Sequence, residues 1–323
     1  MADKLSTGAA SKLWVGTLDL DPEISDFTVL TAGYALEFTQ CSLGKQGTVL
    51  DASEAGMRGT RSRQNNRTLE GNYVVGGSFT INPSPNDLDA LLTMIMGGTE
   101  STGDVFNLTE ALPVFSASVR YGDATEGTGV TNSYIGLMVS RATFRGSAGG
   151  FLELEMECVG LTSVEDAVDP TDTLGTGTGD QPYIMSDSVT GFDLKTVDNL
   201  EVKSFELVID NVIESRSVNS QTVTKNIPTD RIVSLSVTTP WTSVEQPMLG
   251  IDTAGSIPGD TEATIRFQHA LNSHSLTFQF GQLVAPQEFP SINDKGELDL
   301  VTNHIARHDG SRLELVITND NTA

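Results

Sequence analysis

His304 and His308 stand four residues apart, a spacing that would put two imidazoles on one helical face and begin a zinc site. Such a site needs a third ligand, and the metalloprotease form needs a Glu directly after the first His. Ile305, Ala306 and Arg307 supply neither, so the pair is read as surface histidines. Asp19 and Asp21 begin like a calcium loop, but no Gly and Glu follow at EF-hand positions. Gly175-Thr-Gly-Thr-Gly179 has no strand before it and no helix after it, so it is not a dinucleotide cradle. Asn66-Arg67-Thr68 and Asn107-Leu108-Thr109 fit the glycosylation acceptor pattern, which has meaning only in a secreted chain. No nucleophile elbow and no Walker loop occurs. The reading that follows is of a protein without catalytic centre, metal or cofactor.

Two charged groupings remain. Arg58, Arg61, Arg63 and Arg67 fall within ten residues of a chain that has 19 Lys and Arg in all. They sit in a polar stretch, Leu43 to Asn72, much longer than a hairpin loop. Arginine suits bidentate pairing with carboxylates at interfaces, so this stretch is read as an arm that orders against an adjacent copy. The second grouping is Glu153, Glu155 and Glu157, which alternate with Leu154, Met156 and Cys158 and so share one face of a strand. Glu37, Glu206 and Glu314 take comparable outward places. Whether this face meets an enclosed space or bulk solvent stays open.

The charge of the whole chain limits its partners. Nineteen basic against 43 acidic side chains leave 19 − 43 = −24, with a pI near 4.3. A surface so negative repels a polyanion, which excludes a nucleic-acid grip, and it offers no polybasic membrane anchor. Met1-Ala2-Asp3-Lys4 does not open a signal peptide, and the longest apolar run, Leu88 to Met96, is too short to span a bilayer. Synthesis in a cytoplasm is expected. Cys41 and Cys158 are read as small buried apolar residues.

The elements that must position these residues are strands. With 31 Gly, 12 Pro and few long amphipathic runs, the composition reads as all-β. Residues 1–26 are read as an N-terminal arm. Tyr34, Leu36 and Phe38 alternate inward with Ala35, Glu37 and Thr39 outward, and Tyr73, Val75, Phe79 and Ile81 repeat the pattern. One helix is predicted: Ser84 or Asn86 caps it, Pro85 opens it, Leu88, Leu91, Leu92 and Ile95 form its stripe, and Gly97-Gly98 ends it. Strands follow at Val114 to Tyr121, Tyr134 to Phe144 and Phe151 to Val159. Glu165 to Asp187, rich in Thr, Gly, Asp and Pro, has no hydrophobic period and is read as a linker.

Beyond the linker the order of landmarks returns. Lys203 to Leu207 answers Tyr34 to Phe38, Ser234 to Pro240 answers Ser78 to Pro83, and Met248-Leu249-Gly250 stands where Ile95-Met96-Gly97 ended the helix. Thr264 to Phe267 answers Ser118 to Tyr121, and Leu313 to Leu315 answers Leu152 to Leu154. This is an internal duplication, with units at 27–164 and 188–323 around a linker at 165–187. Pro247 must shorten or kink the second helix, and about Gln287 to Asp309 reads as an extra segment before the last strand.

Gly59-Thr60-Arg61 in the polar stretch, Gly76 to Ile81 leading to Leu88-Asp89-Ala90-Leu91-Leu92, and Ser204 to Asn211 opening the second half together resemble the tail tube proteins of long-tailed bacteriophages, over about Thr31 to Asn319. The resemblance implies a β-sandwich or barrel with a flanking α-helix per domain. It implies a virion protein assembled in the host cytoplasm, whose rings stack into a helical tube through which genome DNA is ejected. Rings of the family usually hold six tube domains, so a duplicated chain implies homotrimeric pseudo-hexamers, with a homohexamer as the alternative. The implied partners are tape measure, terminator and distal tail proteins and passing DNA that is not held. The acidic residues Glu37, Glu153, Glu155, Glu157, Glu206 and Glu314 become lumen candidates, since an acidic bore repels phosphate. Closing sheet edges around a ring also removes an aggregation hazard. The competing reading is a capsid decoration or receptor-binding β-domain protein of a virion.

Overall fold

The computed structural model describes residues 11–19, 29–51, 68–98, 104–122, 129–165, 167–172, 181–188, 191–194, 198, 200–220, 222–241, 263–269, 274–284, 292, 298–308 and 313–321. The first half holds β1 (Lys12–Asp19), β2 (Ala32–Leu36), β3 (Gln40–Cys41), β4 (Gly44–Asp51), β5 (Thr68–Ile81), the helix α1 (Pro85–Met96), β6 (Val105–Asn107), β7 (Val114–Gly122), β8 (Gly129–Ser147), β9 (Glu153–Gly160) and β10 (Thr162–Val164). β11 (Thr171–Asp172) follows. The second half holds β12 (Phe192–Leu194), β13 (Ser204–Arg216), β14 (Lys225–Pro240), β15 (Ala263–Gln268), β16 (Ser275–Phe280), β17 (Gln282–Val284), β18 (Asp299–Arg307) and β19 (Leu315–Asp320). The chain is all-β with one α-helix and a short 3-10 turn (Met185–Ser188) among its described residues, as its composition predicts.

Local sequence explains these elements. In β9 and β18 apolar or core-facing residues alternate strictly with outward ones, the signature of a sheet with one wet face. In α1, Leu88, Leu91, Leu92 and Ile95 are buried as their spacing requires, and Gly97 closes the helix with φ 84°. Ser84 sits at the N-cap, but its hydroxyl donates to the Asp87 carboxylate at 2.7 Å instead of accepting from a backbone N–H. Gly136, φ 73°, lies where β8 passes from one layer to the other, and a Cβ there would come within 2.6 Å of the Leu161 side chain.

β8 is the hinge of the architecture. Its first part, up to Leu137, lies between β7 and β10, whereas Met138 to Ser147 lies between β9 and β13. The long sheet therefore runs β4-β5-β9-β8 and continues β13-β14-β18-β17, with β3 also on β5. The four-strand order is the same in both halves: two hairpin strands, then the later strand, then the one before it. The outer layers repeat as well, β1-β7-β8-β10 in the first half and β12-β15-β16-β19 in the second. Even the irregularities correspond. β5 carries an extra residue where Gly47 faces Tyr73 and Val49 faces Glu70, and β14 carries one where Val212 faces Asp230 and Ile213 faces Pro228.

The halves are not insulated from each other. β8 and β13 pair over Arg141↔Asp210 to Ser147↔Ser204, β6 of the first half pairs with β19 of the second, and one apolar cluster spans both. Phe144 meets Phe278 edge-on at 5.1 Å, and Phe205 touches Phe192 and Phe267. α1 is clasped by the last strand: Asn319 donates to the Pro85 carbonyl at 2.8 Å and to Asp89 at 2.6 Å, and Asn321 donates to the other Asp89 oxygen at 2.6 Å.

Several expectations are corrected. The arm expected over 1–26 contains β1, held between β2 and β7 with Leu13, Trp14 and Val15 buried. An apolar triplet buried on both faces has no alternation to read. The stretch Leu43 to Asn72 contains β4 and the start of β5, and residues 52–67 between them lie outside the described residues. Around the expected linker, Ala167 donates to Thr131, Thr171 to Thr31, Arg120 pairs with Asp169 at 3.0 Å, and Tyr183 is fully buried. Tyr34 points outward instead of inward, at 39% exposure. The segment read as extra, Gln287 to Asp309, contains β18, and His304 within it is buried in the strand instead of lying on the surface beside exposed His308. Of the duplicated landmarks, those on β5 and β14 and on β7 and β15 fall on corresponding strands. Those on β2 and β13 and on β9 and β19 do not: β9 corresponds to β18, and β19 to β10. Similar alternation on different strands produced that mismatch. The second helix candidate around Met248 lies outside the described residues.

Candidate functional surface: the exposed face of the long sheet

The face of the long sheet opposite the core begins with β9. Its even-numbered residues Leu154, Met156 and Cys158 are buried, which turns Glu153, Glu155 and Glu157 outward. Antiparallel register then places Glu157 opposite Arg141, Glu155 opposite Thr143 and Glu153 opposite Arg145 on β8. On the other side of β8, Arg141 faces Asp210 and Arg145 faces Glu206 on β13. The result is a charged stripe across three strands and across the junction of the halves.

Arg145 is its centre. Its Nε donates to Glu206 at 2.9 Å, its Nη1 donates to Glu155 at 2.6 Å, and Nη1 lies 3.7 Å from Glu153. The hydrogen bond to Glu206 leads the causes that raise the guanidinium above its ordinary range; partial burial opposes them and the bond to Glu155 adds to them. A depression of about 360 Å3 opens here, bounded by Arg145, Phe151, Glu153, Ser204, Glu206 and Ser236. Lys203 closes a further pair with Asp299 at 2.6 Å. Past β13 the face changes. Ser234, Ser236, Thr238 and Asn303 share it with Ile232, Val301 and Ile305, which are 44%, 45% and 43% exposed.

Four of the six acidic candidates therefore come together: Glu153, Glu155, Glu157 and Glu206. Glu37 follows β2 in the outer layer, and Glu314 precedes β19, 3.8 Å from Arg231. Arg58, Arg61, Arg63 and Arg67 lie outside the described residues. The sequence reading missed Arg141, Arg145, Asp210 and the Lys203–Asp299 pair. Arg141 and Arg145 are four apart on a strand and so share a face, a signal present in the sequence but eclipsed by the acidic surplus. The face is ion-paired, not uniformly acidic.

Among the described residues no group of three or more His, Cys, Asp or Glu could hold a metal ion, and no helix is long and apolar enough to cross a membrane. Burial pushes the thiols of Cys41 and Cys158 up, and both are free, so Cys158 fits its reading as a core residue while Cys41 is only half buried.

A family model described as phage tail tube protein matches residues 25–304. No curated protein matches the chain.

Proposed function

The chain belongs to the phage tail tube protein family, a structural protein of the virion tail, and from that premise we propose that it builds the tube as rings of three chains, each supplying two tube units. The observation that carries this reading is the repeated strand order of the long sheet, β4-β5-β9-β8 followed by β13-β14-β18-β17. The β8·β13 pairing is a unit-to-unit joint made within one chain. Repeating that joint between chains closes three copies into a ring of six units, and stacked rings form the conduit for genome DNA. The core face of the sheet is committed to packing, so the opposite face lines the bore. There Glu153, Glu155, Glu157 and Glu206 keep phosphate off the wall, while Arg145 holds Glu155 and Glu206 in place without a net cationic patch.

The arginines of the loop between β4 and β5, Arg58, Arg61, Arg63 and Arg67, act between rings by pairing with an acidic neighbour, and the tape measure, terminator and distal tail proteins meet the tube at its axis and ends. Rotational averaging of electron micrographs of assembled tubes, with native mass of single rings, tests the stoichiometry. Three chains per ring are expected. Six copies per ring would overturn the two-unit reading.

A further inference from the structure

We propose that the β4–β5 hairpin is the seat for a second copy of this chain, the counterpart between chains of the seat that β13–β14 gives to the chain's own first half. It rests on the reading of the chain as two repeated tube units.

The internal seat lies beside the extra residue of β14. Asn211 on β13, 2% exposed, donates to the Ile95 carbonyl in the last turn of α1 and to the Val139 carbonyl, both at 3.3 Å. Arg231 on β14 donates to the Thr109 carbonyl after the helix at 2.9 Å. Ile213 packs on Leu112, Val114 and Met138. The hairpin of the second unit thus receives the helix side of the unit before it.

The β4–β5 hairpin carries the same register shift, and among the described strands β4 pairs only with β5, so neither unit is seated on it. Lys45, Gln46 and Gly47 are exposed there, and the Lys45 ammonium lies 4.3 Å from the centre of the Tyr73 ring. Beside them opens a cavity of about 270 Å3, bounded by Lys45, Tyr121, Asn132, Tyr134, Ser163 and Glu165. Tyr121 is 41% exposed, with its hydroxyl 3.2 Å from that of Tyr134. Asn132 Oδ1 is shielded from water and has no hydrogen-bond partner. An orphaned acceptor among tyrosines is a socket awaiting a donor, and tyrosine anchors an interface at small entropic cost. The ammonium suits any neighbour from a chain of net charge −24.

The test uses the full chain under conditions in which it polymerises, read by sedimentation and negative stain. Lys45→Glu with Tyr121→Ala should fold by circular dichroism yet lower the polymerised fraction by about tenfold or more, as loss of interface anchors does. Lys45→Arg with Tyr121→Phe should polymerise normally. Benzoylphenylalanine in place of Lys45 should crosslink one chain to another in assembled material, a readout that stands even where the double variant misfolds. Tubes of normal yield from the double variant, or crosslinks confined to single chains, would overturn this seat and leave the tube reading intact. A wild-type chain that never leaves the single-chain state would overturn both.

Discussion

The two halves of the long sheet have the same strand order and the same bulged hairpin, yet the exposed face does not repeat with them: its charged part crosses their junction onto β13, and its neutral part lies beyond. From β9 to β13 the face is a lattice of Glu153, Glu155, Glu157, Arg141, Arg145, Glu206 and Asp210. From β14 to β18 it is Ser234, Ser236, Thr238 and Asn303 with exposed Ile232, Val301 and Ile305. The core faces, by contrast, are mainly apolar in both, with Phe79, Met156, Phe144, Leu207 and Leu235 all buried, though Asn211, Thr302 and His304 join them in the second half. Packing at near-crystalline density constrains the inner residues, so the topology persists; water places no such demand on the outer ones, which are free to diverge. In a ring of three chains, charged and neutral panels would then alternate around the bore.

The largest expected effect breaks the comparison at the charged panel. Glu153→Lys, Glu155→Lys and Glu157→Lys together should slow DNA release from phage particles by about tenfold or more, since each added cation gains phosphate contact. The same three-lysine change at Ser234, Ser236 and Asn303 should act alike if both panels line the bore. Unchanged release kinetics in the first set would place this face elsewhere.

Next in size is the shared core. Phe144→Ala, at a fully buried ring against Phe278, should cost about 3–5 kcal/mol in urea unfolding. One cooperative transition should shift as a whole. A two-step curve in which only one step moves would show that the halves unfold separately.

The clasp on α1 comes third. Asp89→Ala removes both amide contacts and should cost about 1–3 kcal/mol. Burial holds the Asp89 carboxyl above its ordinary range, Asn319 and Asn321 pull it back, and Asp104 adds to the rise. The folded state thus takes up this proton before the unfolded state does. Wild-type stability relative to Asp89→Asn should therefore grow as pH falls from neutral through the window just above the ordinary carboxylate range, and level off below it. Measured thermal melts across that range with the opposite slope would mean that the amide bonds outweigh burial.

The smallest effects sharpen the contrast of the panels. Arg145→Met should cost about 1 kcal/mol, because the network is partly exposed, and the cost should shrink in high salt as repulsion among Glu153, Glu155 and Glu206 is screened. Ser236→Ala on the neutral panel should change stability by less than about 0.5 kcal/mol, with no salt dependence.

The sequence by itself determined the class of the fold, the helix from Pro85 to Met96, the alternation that turns Glu153, Glu155 and Glu157 to one side, and the family. These are local: a period of two or 3.6 residues needs only neighbours to be read. Tertiary structure decided which strands correspond, because the apolar–polar alternation of the sequence looks alike around Leu36, Leu154, Leu207 and Leu315, and only strand pairing distinguishes them. It turned Leu13-Trp14-Val15 from a supposed arm into a central strand and fastened parts of the supposed linker to the first half. It also brought Arg145, unremarked in a sequence 24 charges negative, between carboxylates 10 and 61 residues away. Pairing at such separations depends on strand order, which a chain acquires only when its apolar faces are buried against one another.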